Sequence, residues 1–262
     1  MENIQFRSGA INASECLKKG WEMIKPNYGI FLGMVVLELV IVFAVNMIPY
    51  IGEFIDPLIT GAILVGIYYA LLRQMRNESV EFAMMFSGFQ HFVPAALVAL
   101  IGVLPWFFLW LGSYIFPSFP TIENAINNGN LKIPTDILRE FGTVGILTFF
   151  VVWIMSVALQ LVLFFALPLI ADRGLGFFDA VKLSVSAAIN NLGGLIVLTL
   201  LQLLASLIGV LAFCVGIIFV IPVIYASNVV AYRSVFPENQ MPSYYTEPPQ
   251  PGAYGGTYGR PM

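Results

Sequence analysis

Long apolar runs without charged side chains are the feature that most constrains the fold of this chain. Residues 142–171 and 192–232 contain no Asp, Glu, Lys, Arg or His, and residues 28–49 contain only Glu38. About 20 consecutive apolar residues are enough for a helix to cross the hydrocarbon core of a bilayer, so residues 192–232 are long enough for two crossings. The pattern therefore predicts several membrane-spanning helices.

The composition excludes a water-soluble globular domain. Hydrophobic residues make up 59% of the 262 residues and charged residues 10%, whereas soluble domains carry about a quarter charged residues. The sequence predicts an all-α, polytopic membrane bundle of about six transmembrane helices. The predicted spans are residues 28–49, 57–72, 93–116, 142–170, 192–212 and 216–235.

Proline and glycine punctuate the predicted spans. Pro49, Gly52 and Pro57 predict a break between the first two spans, with Asp56 placed to cap the second. Pro168 lies inside the fourth apolar run. A kink is tolerated there because neighbouring groups within the bundle satisfy the freed carbonyl.

The distribution of basic residues predicts the orientation in the membrane. With the amino terminus in the cytoplasm, ten of the twelve Lys and Arg residues lie inside, and only Lys132 and Arg139 lie outside. Cytoplasmic loops carry an excess of basic residues, so both termini are predicted to be cytoplasmic. The first residues, MENIQFRSGA, lack the apolar core of a cleavable signal peptide. We therefore expect the first span to remain as a membrane anchor.

An internal repeat is the second informative feature of the sequence. Residues 14–25 predict an amphipathic helix at the membrane surface, before the first span. Three apolar side chains share one face of this helix: Leu17, Trp21 and Ile24. A shift of 164 residues brings the same pattern back and aligns Glu38 with Gln202.

A weaker copy appears at a shift of 65 residues, where Phe82, Phe86 and Phe89 take the places of these three apolar residues. The chain is therefore predicted to contain three units, each an amphipathic interfacial helix followed by a transmembrane hairpin. The predicted units cover about residues 14–73, 79–170 and 177–236, within a membrane domain of residues 1–236. The alternative is that apolar helices align easily with one another.

Two segments differ from the apolar spans and their short turns. Residues 117–141 contain Pro, Asn and Gly and are predicted to form a solvated connector outside, with short helices near 122–127 and 135–140. Residues 237–262, rich in Pro, Gly and Tyr, predict a disordered cytoplasmic tail. Such a tail is either a solvated end or a binding segment for a cytoplasmic protein partner.

Glu38 is the candidate for a functional site inside the membrane. An ionisable group near the middle of a span is costly and indicates function by default. Gln202, Gln160 and Asn228 are predicted to face the same interior space. This polar group would take up a proton or bind a cation. The alternative is a protonated Glu38 that forms a hydrogen bond with another helix.

Basic and aromatic residues at the ends of the spans predict contact with membrane lipids, because anionic headgroups attract basic side chains. The predicted interface residues are Lys18, Lys19, Trp21, Lys25, Arg173 and Lys182. Asp172 and Asp179 are predicted to pair with the neighbouring basic residues or with headgroups. The net charge of −3 indicates no particular soluble partner, and no nucleic-acid binding is expected.

The sequence lacks the common catalytic and cofactor motifs. It contains no G-x-S-x-G, H-E-x-x-H or G-x-x-x-x-G-K-[ST] motif. His91 is the only histidine and has no cluster of metal ligands beside it. Cys16 and Cys214 are isolated and are predicted to be packing residues. We therefore expect no enzyme activity, no metal and no cofactor.

Four segments carry a resemblance to a known family. They are KKGWEMIKPN at 18–27, GEFIDPLITG at 52–61, FSGF at 86–89 and LPLIADRGLGFFDA at 167–180. The chain resembles, over roughly residues 10–236, the bacterial multipass proteins grouped with the glycerophosphodiester phosphodiesterase membrane domain and related uncharacterised integral membrane families. The soluble phosphodiesterase domain of some members has no room in this chain, and its metal-binding carboxylates are missing. The resemblance therefore implies a bacterial cytoplasmic-membrane protein without implying an enzyme.

Three functions are open from the sequence. The first is a non-enzymatic scaffold or accessory subunit of the cytoplasmic membrane, with the interfacial helices and the tail as contact surfaces. The second is a small-solute or ion transporter or channel with a polar midplane site around Glu38, as the Pro-containing spans 57–72 and 216–235 suggest. The third is an intramembrane enzyme that acts on lipid. The sequence favours the scaffold because catalytic groups are missing and the spans contain few polar residues.

Overall fold

A computed structural model describes residues 5–48, 52–115, 135–211 and 216–238 of the chain. All regular structure in these residues is helical. Six helical stretches of the described part are long and apolar enough to cross a membrane. The predicted all-α, polytopic membrane bundle is therefore confirmed.

The described residues form α-helices and two 3₁₀ segments. The α-helices are α1 (Ala13–Ile24), α2 (Tyr28–Asn46), α3 (Gly52–Met75), α4 (Phe92–Ile115), α5 (Thr135–Leu163), α6 (Ala166–Arg173), α7 (Phe177–Asn190), α8 (Leu192–Leu211) and α9 (Gly216–Val235). The 3₁₀ segments are Lys25–Asn27 and Phe82–His91. The predicted short helix at 135–140 is the first part of α5. The predicted helix at 122–127 lies outside the described residues.

The second span begins earlier than predicted, at Gly52, and Asp56 is not its cap. The helix continues through Pro57, and a proline is tolerated inside a membrane bundle because neighbouring groups satisfy the freed carbonyl. The Asp56 carboxylate accepts hydrogen bonds from Thr60 Oγ1 (2.7 Å) and Asn46 Nδ2 (3.1 Å). Asp56 therefore connects the end of α2 with the first turns of α3.

The fourth span was predicted as one helix, but it is divided into α5 and α6. Pro168 has no N–H for the helix ladder, and the α-helix is interrupted just before it, between Leu163 and Ala166. Ser184 of α7 satisfies the freed backbone groups. Its Oγ accepts from Phe165 N (3.1 Å) and donates to Val162 O (2.7 Å).

Helix α1 packs against the bundle through its small residues, which the sequence pattern did not indicate. Its buried face consists of Ala13, Cys16, Gly20 and Ile24. A Cβ on Gly20 would lie 2.8 Å from the backbone nitrogen of Ser227 in α9. Trp21, predicted to share the apolar face of Ile24, is 42% exposed. Helix α1 thus has a bundle face, an exposed apolar edge and a charged face.

Residues 82–91 form a 3₁₀ segment instead of the predicted amphipathic α-helix. Side chains three residues apart eclipse one another in a 3₁₀ helix, and the rings of Phe86, Phe89 and Phe92 accordingly stack in succession. Met85 and Gly88 are buried on the other side. The expected stripe of Phe82, Phe86 and Phe89 is therefore replaced by a ladder with a period of three.

The core lies around α3, which contacts α2, α4, α6, α9 and the 3₁₀ segment Phe82–His91. Gly66 of α3 and Gly88 touch backbone to backbone, since a Cβ on either residue would collide with the other chain segment. Tyr232 and Phe165 are among the largest fully buried side chains. The three repeat units and the disordered state of the tail stay predictions.

Candidate functional site

Helix α9 holds Glu38 of α2 in place. The Glu38 side chain is buried, and the residue is only 5% exposed. Tyr225 of α9 donates its hydroxyl hydrogen bond to the carboxyl group, with the hydroxyl 3.2 Å from Oε1 and 3.3 Å from Oε2. Glu38 therefore points into the bundle and contacts a partner on another helix.

A second polar group connects α8, α9 and α3. Gln202 Nε2 donates to Ser227 Oγ (2.8 Å) and to Asn228 Oδ1 (2.7 Å). Asn228 Nδ2 in turn donates to the hydroxyl of Tyr68 at 3.3 Å. Gln202 and Asn228 are thus brought into direct contact.

The rings of Tyr68 and Tyr225 lie between these two groups. Their centroids are 6.0 Å apart and the rings meet edge to face. Glu38 is therefore connected with the Gln202 group through an aromatic contact. The sequence did not single out either tyrosine, since the pattern alone does not separate a tyrosine with a bonded hydroxyl from an ordinary aromatic core residue.

Two neighbouring cavities open beside this polar interior. The larger has a volume of about 530 Å³, and its polar lining consists of Asp56, Thr60, Tyr68, Gln160 and Asn228. The smaller has a volume of about 320 Å³, and its polar lining consists of Ser156, Gln160, Thr199, Gln202 and Asn228. Three of the four predicted residues, Gln160, Gln202 and Asn228, therefore share a space. Glu38 does not line these two cavities.

The chemistry of the cavities is that of neutral hydrogen-bonding groups. Amides and hydroxyls supply most of the polar lining, and Asp56 adds a carboxylate. Every buried side-chain nitrogen or oxygen in the described part of the chain has a hydrogen-bond partner. Among the same residues, no three His, Cys, Asp or Glu side chains come close enough to hold a metal ion.

The predicted interface residues lie in different environments. Lys18, Lys25 and Lys182 are exposed, and Lys19 pairs with Glu15 at 2.6 Å. The remaining two make ring contacts: Trp21 meets Tyr28 edge to face at 5.5 Å, and the guanidinium of Arg173 lies 6.0 Å from the Phe236 ring. Contact with lipid stays a prediction for all six.

Asp172 anchors a charged cluster that the sequence indicated only in part. Its side chain is 8% exposed, and its main partner is Arg233, which donates from Nη2 (2.7 Å) and Nη1 (3.1 Å). The hydroxyl of Tyr232 donates to the same carboxylate at 2.7 Å. Arg173, the partner expected from the sequence, lies farther away at 3.7 Å. The closest partners are 60 and 61 residues distant in sequence, so local patterns do not reveal them.

These observations define a class: the chain is a multipass integral membrane protein with a polar interior. No known family model matches the chain, and a search of curated proteins finds no significant match. The resemblance to the glycerophosphodiester phosphodiesterase membrane domain group stays a prediction.

Proposed function

We propose that this protein is a non-enzymatic scaffold or accessory subunit of the bacterial cytoplasmic membrane. The supporting observation is that its interior polar groups bond with one another: Glu38 with Tyr225, and Gln202 with Ser227 and Asn228. Hydrogen bonds of this kind stabilise contacts between helices inside a membrane. A polar group that already has a partner has less capacity for a substrate.

The contact surfaces of such a scaffold would lie on the cytoplasmic side. The charged face of α1 is exposed, including Lys18, and so is Lys25 directly after the helix. The tail, residues 237–262, adds a Pro- and Tyr-rich segment of the type that docks on aromatic grooves. We propose membrane lipids and a cytoplasmic protein as the partners of these surfaces.

A comparative purification in mild detergent tests the scaffold function. The full-length protein is compared with a chain that ends after Glu238, which keeps every contact described above. A third chain retains the whole tail but carries Tyr244→Ser and Tyr245→Ser. We expect a protein partner that co-purifies with the full chain and is lost with the tail. Co-purification of lipid alone with all three chains would contradict the proposal.

The larger cavity supports a second candidate function, transport of a small solute or ion. It is lined by Gln160 of α5, by Asn228 of α9, and by Asp56 and Thr60 in the first turns of α3. Flux into liposomes containing the purified protein is the test. If Gln160→Leu folds normally and abolishes a flux that the unaltered protein supports, the protein is a transporter and the scaffold proposal is wrong.

A further inference from the structure

A cluster of charged side chains lies where α3, α6 and α9 end on the same side of the bundle. It contains four arginines and three carboxylates: Arg73, Arg76, Arg173, Arg233, Glu78, Asp172 and Glu238. The cluster therefore carries one net positive charge. Without the Glu238 carboxylate, the cluster would carry two net positive charges.

Glu238 differs from the other carboxylates of the cluster. One of its oxygens, Oε1, lies 3.4 Å from Arg76 Nη1 and 3.6 Å from Arg233 Nη2, so two guanidinium groups share it. Its side chain is 59% exposed, whereas that of Asp172 is 8% exposed. Exposed ion pairs at such distances are weak, so another anion can replace Glu238 at low cost.

The other carboxylates keep the arginines in position. Glu78 accepts hydrogen bonds from both Arg73 Nε and Arg76 Nε at 2.7 Å. The hydrogen bond from Arg76 is the main cause that lowers the pKa of Glu78, so Glu78 is ionised at neutral pH. Asp172 fixes Arg233 through two hydrogen bonds. Both guanidinium groups are therefore held by other residues when Glu238 is absent.

An open pocket of about 480 Å³ adjoins Arg233 between α1, α3 and α9. Its apolar lining includes Met23, Met75 and Val230, and its charged lining consists of Lys19, Glu22 and Arg233. Cationic groups beside an apolar surface at the ends of membrane helices match a phospholipid, which presents a phosphate next to its glycerol and acyl carbons.

We propose that Arg76 and Arg233 bind the phosphate group of an anionic phospholipid, and that Glu238 occupies this site when the lipid is absent. Guanidinium groups bind phosphate oxygens through paired, charge-assisted hydrogen bonds. The lipid replaces one carboxylate with one singly charged phosphate, so the net charge of the cluster stays at one positive charge. Its first acyl carbons lie along Met23 and Met75. This site is independent of the scaffold function, since it requires only that the protein resides in a membrane.

Because Glu238 and the lipid phosphate compete for the same arginines, the ion pairs of Glu238 would depend on the lipid. Phe236 packs in the core, and Glu238 follows it by two residues. When a phosphate displaces the Glu238 carboxylate, the chain beyond Phe236 loses its ion pairs with Arg76 and Arg233. An anionic membrane would therefore free Glu238 from the two arginines.

Titration of the full-length protein with lipid in neutral detergent tests the site. The lipid is dioleoylphosphatidylglycerol, and native mass spectrometry measures the bound fraction. Glu238→Gln removes the competing charge and leaves the arginines in place. We expect this variant to bind the lipid about fivefold more tightly, since one charge near the surface changes lipid affinity by this order. An affinity equal to that of the unaltered protein would show that Glu238 does not compete with the lipid, and would overturn the proposal.

Arg76→Gln is the variant expected to lose lipid binding, and Lys182→Gln is its control. Arg73 still holds Glu78 in the Arg76 variant, and Arg233 is left intact because it neutralises the buried Asp172. We expect binding to fall about fivefold for Arg76→Gln and by less for Lys182→Gln, which removes an equal charge from a predicted lipid-facing position outside the cluster. Equal losses in both variants would show general surface attraction and overturn the site.

Two further ligands identify the source of the phosphate. Dioleoylphosphatidylcholine carries the same phosphate with an added quaternary ammonium, which the arginines repel, so it should bind more weakly than the phosphatidylglycerol. Inorganic phosphate should bind more weakly still, because it lacks the acyl carbons that contact the pocket. Inorganic phosphate that binds as tightly as the anionic lipid would overturn the assignment to a phospholipid.

Discussion

The hydroxyl of Tyr225 explains how α2 accommodates a carboxyl group in the middle of an apolar helix. From the sequence alone, a scaffold is expected to tolerate Glu38→Leu or to fold better with it, because a costly polar group is removed. The structure reverses this expectation. Leucine would leave the Tyr225 hydroxyl without the carboxyl group that accepts its hydrogen bond, and an unsatisfied buried donor is more costly than a completed pair.

We therefore predict that Glu38→Leu lowers the free energy of unfolding by about 1 kcal/mol. The double variant Glu38→Leu, Tyr225→Phe should recover most of this loss, since both partners are then apolar. Thermal unfolding in detergent, compared across the two single variants and the double variant, measures the coupling. Additive losses would contradict a direct bond between the two side chains.

The predicted polar residues and their partners differ in how visible they are in the sequence. Glu38 and Gln202 are evident because a charge or an amide is conspicuous in an apolar run. Tyr225 and Tyr68 are not, since an aromatic ring in a span is expected in any case. Their hydroxyl bonds depend on which helices meet, and this is decided by packing over more than 150 residues of sequence separation.

At the scale of helices, the close contact between α1 and α9 depends on a glycine. The Cβ of an alanine at position 20 would lie 2.8 Å from the backbone nitrogen of Ser227, so the two helices would have to separate. We predict that Gly20→Ala lowers the free energy of unfolding by about 1–3 kcal/mol. Gly29→Ala is the control, because no atom lies within 4 Å of a Cβ there. A similar loss for both variants in detergent unfolding would contradict the α1 packing.

The break between α5 and α6 depends on a hydroxyl from a third helix. Ser184→Ala would remove the acceptor of Phe165 N and the donor to Val162 O in a fully buried place. We predict a loss of about 1–3 kcal/mol in the free energy of unfolding. Ser186→Ala serves as the control, since Ser186 lies exposed on the same helix. Unchanged stability in the Ser184 variant would show that other groups bond to Phe165 N and Val162 O.

Hydropathy predicts the number of spans and most of their bounds, because it depends on local composition. It does not detect the bonds that a helix makes with its neighbours. The α5–α6 break requires Ser184, and the 3₁₀ conformation of 82–91 accompanies the close contact between Gly66 and Gly88. The bundle face of α1 was missed for a related reason. Small residues such as Cys16 and Gly20 pack closely but contribute little to a hydrophobic pattern.

At the scale of the whole molecule, the orientation in the membrane is still a prediction from basic residues, and the structure changes how it should be tested. Labelling with a membrane-impermeant maleimide is expected to spare Cys16 if the amino terminus is cytoplasmic. Cys16 is only 2% exposed, however, so burial alone would protect it on either side. Cys214 lies outside the described residues. Protection of Cys16 therefore does not establish the orientation.

Two new cysteines on exposed positions avoid this problem. In a chain with Cys16→Ala and Cys214→Ala, Lys182→Cys probes the predicted cytoplasmic side. Met47→Cys, directly after the end of α2, probes the predicted outer side. Both native side chains are exposed, so access depends on the side of the membrane. We predict that intact cells label only the Met47 variant and that permeabilised cells label both. The opposite pattern would place Lys182 and Arg173 outside, and would move the proposed phospholipid site with them to the outer leaflet.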